Sequence, residues 1–473
     1  MQPTDVTKNQ FQIRHNDTVG RYAVADSDLK SGDEVFSETP FAIGPKSDGP
    51  PVCLGCHTPV DCSTLCSSCK WPVCGELCEI VSTHKEAECI VFTKAKVKFQ
   101  GWASPCLQYE CIMPLRVLLA MLRNHDRWNF ELKMMESHDS IRRTQEIWKF
   151  NQINIVNYLR GPCKLSNFTD ELIHKVCGIL ECNAFEARAK CGYSIRCLYP
   201  KLAILSHNCV SNTVHTISSD NFTVTIRTST DVCRGEELFS SYTYALWPTL
   251  VRNEFLLESK YFQCKCERCS DPTEMGTHMS SLKCSDKCDG VLKCTSPLER
   301  GNWVCSLCTN CKTYTEVKTL FTAIQTEIEQ NLNGEELLTK YETTLHPNNA
   351  YFVIIKSSLL QLYRLQKQYD KAAQFAKDVL QVVNVIQPGC TRIRGMTLYE
   401  LFLSTISSDT INLKHKVDEA LGALRECVTI LQLESDITNE GIIGKQANRQ
   451  LEQLEHNYTD VIEGKCNVYS ILS

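Results

Sequence analysis

The sequence lacks the segments that would place a protein in or across a membrane. No apolar run reaches the roughly 20 residues that a bilayer-spanning helix needs. The stretch from Met1 to Gln10 is polar and has no basic region followed by an apolar one, as a secretory signal would. We therefore expect a protein of the cytoplasm and nucleus that makes no contact with a membrane.

The chain also lacks a strong excess of charge of either sign. Its 50 Lys and Arg residues stand against 55 Asp and Glu, which gives a formal net charge of -5 and a pI near 6.2. Proteins that depend on phosphate contacts carry a basic balance or patch, so we expect no direct sequence-specific binding of nucleic acid. The 473 residues, 43% hydrophobic and 22% charged, are typical of a folded soluble protein with two to four packed units. We expect a monomer.

Cysteine is scarce only in the last third of the chain. Three of the 29 cysteines follow Lys312, namely Cys390, Cys427 and Cys466, and the others crowd into the residues before it. In a reducing compartment, dense cysteines at short spacings indicate zinc rather than disulfides. Metal is therefore expected to support the first two thirds, and another kind of packing the rest.

Eight potential zinc ligands lie in four pairs early in the chain. The pairs are Cys53 and Cys56, Cys66 and Cys69, Cys74 and Cys78, and His84 and Cys89. Four pairs make two four-coordinate sites and leave Cys62 as a spare. A segment with so little apolar content needs metal to fold. Its other charged residues are two basic and five acidic ones, which favours a protein over DNA as its partner.

The stretch from Leu198 to Cys269 combines three motifs. They are Ser206-His207-Asn208-Cys209-Val210-Ser211-Asn212, then Gly235-Glu236-Glu237-Leu238 with Tyr242 after it, and Cys264-Lys265-Cys266-Glu267-Arg268-Cys269. The last motif supplies three thiolates, one short of the tetrahedral set that Zn²⁺ prefers. Cys209 is the candidate for the fourth ligand.

Two further cysteine pairs predict a zinc ribbon. Cys284 and Cys288 lie before a short strand-like segment, and Cys305 and Cys308 lie after it. Cys294 is a spare, and so is Cys311, which leaves the choice of ligands for a fourth zinc open.

Apolar spacing predicts strands first and helices later. Phe11 to Ile43 reads as short strands joined by a hairpin-like turn at Lys30 to Asp33, and Phe222 to Arg227 as a further strand. Cys111 to Leu122 predicts a buried helix, and Thr169 is placed to cap another.

Beyond Tyr314 one helix follows another. Tyr351 to Leu365, Tyr369 to Val385 and Val417 to Leu431 have apolar residues at three- and four-residue spacing, and Pro388-Gly389 interrupts the series. The pattern is typical of paired tetratricopeptide-type helices without a strict repeat of about 34 residues. Such an array could serve as a packing scaffold, as a wall of a substrate cleft, or as both.

The eight-ligand spacing resembles a MYND zinc finger. A finger of this kind between Gly20 and the Ser206 to Asn212 motif is similar to the SET and MYND domain-containing (SMYD) family of protein-lysine methyltransferases, and Ser206-His207-Asn208-Cys209 resembles its arthropod branch. The resemblance implies an α+β multidomain fold, with a β-rich SET core split by the finger and followed by an all-α tetratricopeptide-like domain. The implied domains are 1-50 (N-terminal part of SET), 51-92 (MYND finger), 93-182 (helical SET insertion), 183-248 (SET core), 249-312 (post-SET zinc site and ribbon-like segment) and 313-473 (helical domain).

The resemblance also implies ligand sets and a reaction. In a cross-braced finger, one zinc is held by Cys53, Cys56, Cys74 and Cys78, and the other by Cys66, Cys69, His84 and Cys89. Cys209, Cys264, Cys266 and Cys269 match the SET-associated zinc site. The implied activity transfers a methyl group from S-adenosylmethionine to lysine of a histone or non-histone protein. Tyr242 matches the catalytic tyrosine, with Tyr244 as a rival, and the implied cofactor contacts are Gly20, Asn183, Ser206, His207, Tyr242 and Phe262.

Two departures from the family pattern open an alternative. Ser206 stands in place of the family's asparagine, and Thr18 in place of its first glycine. Losing one or two hydrogen bonds of about 1 kcal/mol each would weaken cofactor binding roughly ten- to thirtyfold. The alternative is a catalytically weak or inactive adaptor or transcriptional regulator that binds partner proteins, including peptides held by the finger.

Overall fold

The computed structural model describes residues 9–101, 103–285, 288–330, 333–408, 413–435, 437–463 and 465. They form two compact units. Of the described residues, unit 1 comprises 9, 36–205 and 215–226, and unit 2 comprises 10–35, 206–214 and 227–465. Within the described ranges, no helix has both the length and the apolar character needed to cross a bilayer.

The strands of the described residues fall into five sheets. In chain order they are β1 (Phe11–Asn16), β2 (Gly20–Ala25), β3 (Glu34–Glu38), β4 (Ala42–Pro45), β5 (Ala184–Arg188), β6 (Ser194–Leu198), β7 (Ser206–His207), β8 (Thr213–Ile217), β9 (Val224–Thr228), β10 (Phe239–Ser240), β11 (Leu282–Ser285), β12 (Cys288–Cys294), β13 (Trp303–Cys305) and β14 (Cys311–Lys312). The sheet β4-β6-β5 belongs to unit 1, whereas β1-β2, β10-β7 and β11-β12-β13-β14 belong to unit 2. The fifth sheet, β3-β9-β8, contains points where the chain passes from one unit to the other.

The helices dominate the second half of the chain. They are α1 (Glu76–Glu79), α2 (Ser82–Lys85), α3 (Glu88–Ala95), α4 (Ile112–Arg123), α5 (His125–Arg127), α6 (Asp139–Arg142), α7 (Glu146–Asn151), α8 (Asn157–Arg160), α9 (Asp170–Asn183), α10 (Thr249–Ser259), α11 (Glu267–Ser270), α12 (Tyr314–Glu329), α13 (Gly334–Tyr341), α14 (Ala350–Leu365), α15 (Tyr369–Ile386), α16 (Arg392–Ser407), α17 (Leu413–Leu431), α18 (Asn439–His456) and α19 (Tyr458–Ile462). Short 3-10 turns cover Leu107–Cys111, Leu202–Ile204 and Pro297–Glu299, and π-turns cover Trp128–Leu132 and Gln152–Val156. The predicted α+β organisation with an all-α C-terminal part is confirmed.

Helix α4 lies at the centre of the unit 1 core. Its apolar side chains are buried on most sides, and Pro114 stands in the first turn, where the missing N–H costs no helical hydrogen bond. The helix packs on β4 and on α9. At the start of α9, the Thr169 hydroxyl accepts a hydrogen bond from the Leu172 backbone N–H at 3.2 Å. The predicted buried helix and the predicted N-cap are both confirmed.

Glu38 is a buried carboxyl group of unit 1. Its side chain is 3% exposed and accepts hydrogen bonds from the backbone N–H groups of Lys201 and Leu202, both at 3.0 Å. The nearest guanidinium, from Arg127, is 3.6 Å away. Burial raises the pKa of Glu38 to about 7, because the two hydrogen bonds and Arg127 offset only part of the cost of burying the charge.

In unit 2 the helices form an array in which each of α14 to α17 packs on the next helix in the chain. The apolar faces that the sequence predicted supply the core, with Phe402, Leu424 and Leu431 fully buried. The predictions for α14 and α15 are confirmed to within one residue. The third predicted helix, α17, begins at Leu413, four residues before the predicted start.

Two strand predictions need correction. The turn at Lys30 to Asp33 forms, but it joins no hairpin, because β2 pairs with β1 whereas β3 lies in another sheet. Strand β9 starts at Val224 rather than at Phe222, since Phe222 has a left-handed backbone with φ of 57° and belongs to a turn. Apolar alternation encodes neither the pairing of β3 with the distant strand β9 nor the turn at Phe222.

Candidate functional site

A short parallel strand pair in unit 2 sets His207 beside Tyr242. Strand β7 runs parallel to β10, with Ser206 opposite Phe239 and His207 opposite Ser240. Two residues beyond β10, the Tyr242 backbone N–H donates to His207 Nδ1 at 3.0 Å. Neutral His207 therefore carries its proton on Nε2, which lies 3.3 Å from Cys209 Sγ and donates to it.

Three aromatic rings gather at this point. The ring centroid of His207 is 5.1 Å from that of Tyr242 and 5.9 Å from that of Phe262, and the Tyr242 and Phe262 centroids are 6.4 Å apart. The Lys260 ammonium lies 5.9 Å from the Tyr242 ring centroid. Burial raises the pKa of Tyr242 above its usual range, so its hydroxyl stays protonated at neutral pH. Such a cluster suits a cationic group, which aromatic faces attract.

Tyr244, the alternative to Tyr242, faces a different set of neighbours. It is 50% exposed, and its ring centroid lies 6.2 Å from that of Trp247. Tyr242 is thus the tyrosine that contacts both His207 and Phe262.

Asn212 clamps the strand that leads to Tyr242, a role the sequence did not predict. Its side-chain Nδ2 donates to the Glu237 carbonyl at 2.8 Å, and its Oδ1 accepts from the Phe239 N–H, also at 2.8 Å. Thr213, the next residue, donates to the Phe239 carbonyl at 2.7 Å. An amide that uses its donor and its acceptor on one backbone segment fixes the course of that segment. The signal in the sequence was the asparagine at the end of the Ser206 motif, but the segment it holds is 25 residues away.

Gly20 begins β2 after the tight turn that follows β1. Its φ of +72° lies in the left-handed region that favours glycine. Within the turn, Asn16 Oδ1 accepts from the backbone N–H groups of Thr18 and Val19 at 2.9 and 2.8 Å. Strand β2 then bonds to the segment before Tyr242, with the Leu238 N–H donating to the Ala23 carbonyl at 2.9 Å. Gly20 therefore provides the left-handed backbone conformation that this turn needs, and the strand it begins lies beside the segment that leads to Tyr242.

The cysteines at the two ends of the stretch meet in unit 2. The sulfur atoms of Cys209, Cys264, Cys266 and Cys269 all lie within 4.8 Å of one another. Cys209 Sγ is 3.9 Å from Cys264 Sγ and 3.4 Å from Cys269 Sγ. Four thiolates around Zn²⁺ at about 2.3 Å would lie about 3.8 Å apart, so the cluster fits one tetrahedral ion and leaves no position for water.

Behind this cluster lies a buried network that the sequence did not reveal. Arg252 is 0% exposed and donates from Nε to Cys209 Sγ at 3.2 Å and from Nη2 to Cys269 Sγ at 3.4 Å. Its Nη1 is 3.0 Å from Glu274 Oε2, which also accepts from Arg268 Nε at 2.9 Å. Burial raises the pKa of Glu274, but the two guanidinium groups outweigh this and lower it to about 2. Arg252 thus places positive charge beside a ligand set that carries four negative charges when deprotonated.

In unit 1, the eight ligands of the finger form two clusters. The groups are Cys53, Cys56, Cys74 and Cys78, and Cys66, Cys69, His84 and Cys89. Representative separations are 3.5 Å from Cys56 Sγ to Cys74 Sγ and 3.8 Å from Cys66 Sγ to Cys89 Sγ. These are the cross-braced groups that the resemblance implied, and each has the four ligands of a closed tetrahedral site.

A buried carboxylate orients the histidine of the second finger cluster. His84 Nδ1 donates to Glu88 Oε1 at 2.8 Å, which directs Nε2 towards the cysteines. Glu88 is 0% exposed and accepts two hydrogen bonds from Arg116 of α4, at 2.8 and 2.6 Å. Burial raises the pKa of Glu88, yet the charge of Arg116 and the His84 bond more than offset this and lower it.

The ribbon supplies a fourth cluster. Cys284, Cys288 and Cys305 lie on strands β11, β12 and β13, and Cys308 lies in the loop between β13 and β14, with Cys284 Sγ 3.5 Å from Cys308 Sγ. The spares Cys294 and Cys311 are outside the group. Among described residues, four groups in all could therefore each hold a metal ion.

Asn183 is the predicted site residue that belongs to unit 1. It is the last residue of α9, where its side-chain Nδ2 donates to the carbonyls of Glu136 and Ile179 at 3.2 and 3.0 Å. Gly20, Ser206, His207, Tyr242 and Phe262 belong to unit 2.

Comparison with known proteins identifies relatives of this chain. No family model matches the chain. SET domain-containing protein SmydA-8, isoform A, of Drosophila melanogaster is 31% identical over 317 residues, which cover 63% of this chain and 65% of that protein. N-lysine methyltransferase SMYD2-B of Danio rerio is 26% identical over 50% of this chain and 51% of its own length. The chain is similar to SMYD-family proteins over this range, and the resemblance predicted from the residues is confirmed.

The match spans a little under two thirds of SmydA-8 and about half of SMYD2-B. Over a longer range, Histone-lysine N-methyltransferase ASHR1 of Arabidopsis thaliana is 21% identical, with 88% of each chain covered. Among solved structures, the SET domain of LSMT bound to lysine and AdoHcy covers 96% of this chain and 89% of its own, at 12% identity and a TM-score of 0.32, which is too low to bear on the argument.

Proposed function

We propose that this chain is a member of the SMYD family and an S-adenosylmethionine-dependent protein-lysine methyltransferase that acts on histone or non-histone protein. The observation that carries the proposal is the contact of the His207 ring, in the strand pair β7-β10, with the rings of Tyr242 and Phe262 next to the Cys209 cluster. Bound S-adenosylmethionine, a sulfonium cation, would supply the methyl group, and its S–CH3 bond would break to leave a neutral thioether. Three aromatic rings within about 6 Å of one another suit such a charge, in keeping with cation–π recognition.

The residues of this chain would align and shield the reacting groups. A lysine amine must lose its proton before it can attack, and its ordinary pKa is about 10.4. The half-buried surroundings of Tyr242 disfavour an ammonium ion over a neutral amine. The Tyr242 hydroxyl, kept protonated by burial, would orient the amine and the transferring methyl group, since alignment supplies much of the rate in such a displacement. No proton is transferred to or from His207 in this scheme; it positions Tyr242 through the 3.0 Å backbone contact.

We assign cofactor contact to Gly20, Asn183, Ser206, His207, Tyr242 and Phe262. Ser206 offers one hydroxyl where the family has an amide, so it can replace one of the two functions of that amide. The Thr18 backbone N–H donates to Asn16 Oδ1, so this N–H is not available to a ligand while the turn is intact. Weaker cofactor binding than in other family members, rather than its absence, follows from these two differences.

Zinc is the metal that we assign to the four cysteine-containing groups. Thiolate and imidazole ligands at these separations suit Zn²⁺, and groups of four protein ligands favour structural over catalytic ions. We further propose the domain limits inferred from the sequence, protein substrates as partners, a monomer, and residence in the cytoplasm and nucleus.

A specific observation favours an additional role as a partner-binding adaptor. In the finger, Leu77 is 80% exposed and Ile80 is 61% exposed, and both lie in or next to helix α1. Apolar side chains displayed on a metal-supported module are suited to the capture of a peptide. If methyl transfer is absent, this role remains.

The test combines calorimetry with a transfer assay. Titration of the purified protein with S-adenosylmethionine up to millimolar concentration should give a heat of binding with one cofactor per chain. Labelled cofactor should then mark proteins of nuclear and cytosolic extracts. No heat at any cofactor concentration would reject the enzyme and leave the adaptor.

A further inference from the structure

The loop between α15 and α16 touches the segment that holds the site in place. Gly389 of this loop has φ of +73°, and a Cβ built on it would lie 1.8 Å from the Ser229 carbonyl oxygen. The next residue, Cys390, donates its backbone N–H to that same oxygen at 2.8 Å. Only a glycine allows the loop this close approach, because a side chain would meet both an unfavourable φ and the Ser229 backbone.

Ser229 also bonds to the motif that contains His207. Ser229 is 0% exposed, and its backbone N–H donates to the Asn212 carbonyl at 2.8 Å. Its hydroxyl donates to the Ser211 carbonyl at 3.2 Å. The Ser31 hydroxyl also donates to the Ser229 carbonyl, at 2.6 Å, so that oxygen accepts from two directions. Ser229 is therefore a fully bonded junction, held on one side by the helical loop and on the other by Ser211 and Asn212.

From Asn212 the contacts lead directly to the aromatic site. The Asn212 side chain clamps Glu237 and Phe239, and Phe239 is in the strand β10 that pairs with β7. Tyr242 follows two residues after that strand. The hydrogen bonds from Ser229 to Phe239 join buried or half-buried groups of unit 2. A displacement of Ser229 is therefore expected to shift the segment that leads to Tyr242.

We propose that Ser229 and Gly389 are positioning residues through which the helical array, α12 to α19, sets the geometry of the His207 and Tyr242 site. The array then acts on cofactor affinity without contacting the cofactor. This effect on affinity rests on the proposed function, whereas the effect on the order of the site does not. The two can be measured separately.

Two glycine-to-alanine substitutions in the array provide a matched pair. Gly389→Ala places its Cβ against Ser229. Gly395→Ala, six residues later in α16, places its Cβ 2.7 Å from Leu431 Cδ2. Both variants crowd the array, but Gly395→Ala does so within the helical core alone. Both are expected to lower the thermal midpoint. Gly389→Ala alone should affect the site.

Hydrogen exchange followed by mass spectrometry gives a readout without cofactor. Peptides that cover Ser206 to Asn212 and Glu237 to Tyr242 should exchange faster in Gly389→Ala than in Gly395→Ala. In calorimetry, Gly389→Ala should bind S-adenosylmethionine about five- to tenfold more weakly, the effect of losing about one hydrogen bond, and Gly395→Ala should bind it normally. The zinc content should be the same in both.

Equal exchange of these peptides in the two variants would overturn the proposal. If Gly389→Ala does not fold, Ser31→Ala removes one donor to Ser229 from an exposed turn, and the same peptides should then exchange faster than in the unaltered protein; unchanged exchange rejects the junction. If the unaltered protein binds no cofactor, the proposed activity fails, while faster exchange in Gly389→Ala still supports the junction.

Discussion

Replacing Arg252 with methionine tests whether a buried guanidinium stabilises the metal group at Cys209. Arg252 donates to two ligand sulfurs, at 3.2 and 3.4 Å, and to Glu274 at 3.0 Å. Arg268 provides the matched control: it is equally buried and bonds to the same Glu274 oxygen at 2.9 Å, but its other hydrogen bonds go to backbone carbonyls and to a methionine sulfur. Both methionine variants lose charge next to Glu274, and one of them also loses contacts with thiolates.

The magnitudes separate the two variants. Removing one partner of a buried ion pair costs about 3–5 kcal/mol of folding free energy, and this applies to both. Losing an outer contact of a metal ligand lowers metal affinity by about 10- to 100-fold, or about 1.4–2.7 kcal/mol, and this applies to Arg252→Met alone. A competing chelator should therefore remove one zinc ion per chain from Arg252→Met at a roughly 10- to 100-fold lower chelator concentration than is needed for Arg268→Met.

The assay is a titration with a zinc-chelating dye, with far-ultraviolet circular dichroism recorded on the same samples to follow folding. Coincident zinc-release curves for the two variants would refute the reasoning, since both share the loss at Glu274. Should neither methionine variant fold, Arg252→Lys retains the charge but offers fewer donors in a different geometry, and an intermediate release curve is expected.

Three further predictions concern catalysis, metal content and pH. Tyr242→Phe should lower methyl transfer by about 100-fold or more while the S-adenosylmethionine Kd changes less than about twofold, because the hydroxyl acts on the reacting groups; a radiolabel assay and calorimetry check this, and an active variant would remove Tyr242 from its assigned role. Cys308→Ser should lower the zinc content from four ions per chain to three by elemental analysis, whereas Cys311→Ser should leave four, because Cys311 lies outside the ribbon group. Glu38 takes up a proton more readily when folded, since its pKa rises from 4.5 to about 7. Its contribution is therefore most favourable below about pH 4.5 and declines as pH rises to about 7, by about 3 kcal/mol in all. Glu38→Gln should flatten the fall in thermal midpoint of unit 1 over that range, and an unchanged slope would contradict the assignment.

Local patterns were enough to predict the metal groups and the helices. Two cysteines with two or three residues between them are a local feature. Three such pairs, together with His84 and Cys89, left little freedom in grouping the ligands of the finger once the family resemblance was recognised. The helices of the array could likewise be read from apolar spacing, because that spacing reflects one buried face. The helix boundaries were less certain, as the early start of α17 shows.

Contacts between distant residues escaped prediction. Arg252 lies 43 residues from Cys209, and Asn212 lies 25 residues from the Glu237 carbonyl that it bonds. No spacing rule links such pairs, and an arginine in an amphipathic helix ordinarily indicates a solvent-exposed position. The failure at Lys30 to Asp33 has a related origin: β2, before the turn, pairs with the preceding strand β1, whereas β3, after the turn, pairs with the distant strand β9.

The Arg116 contact has a consequence for the finger as a separate piece of protein. Glu88, which orients His84, obtains its buried counter-charge from α4, outside residues 51–92. Arg116 also donates to the Leu54 carbonyl at 2.8 Å, inside the finger. A peptide of residues 51–92 would contain every metal ligand of the finger but would lack Arg116, the cation that pairs with the Glu88 carboxylate. Residues 51–92 alone therefore lack the cation that neutralises Glu88, the carboxylate that orients His84.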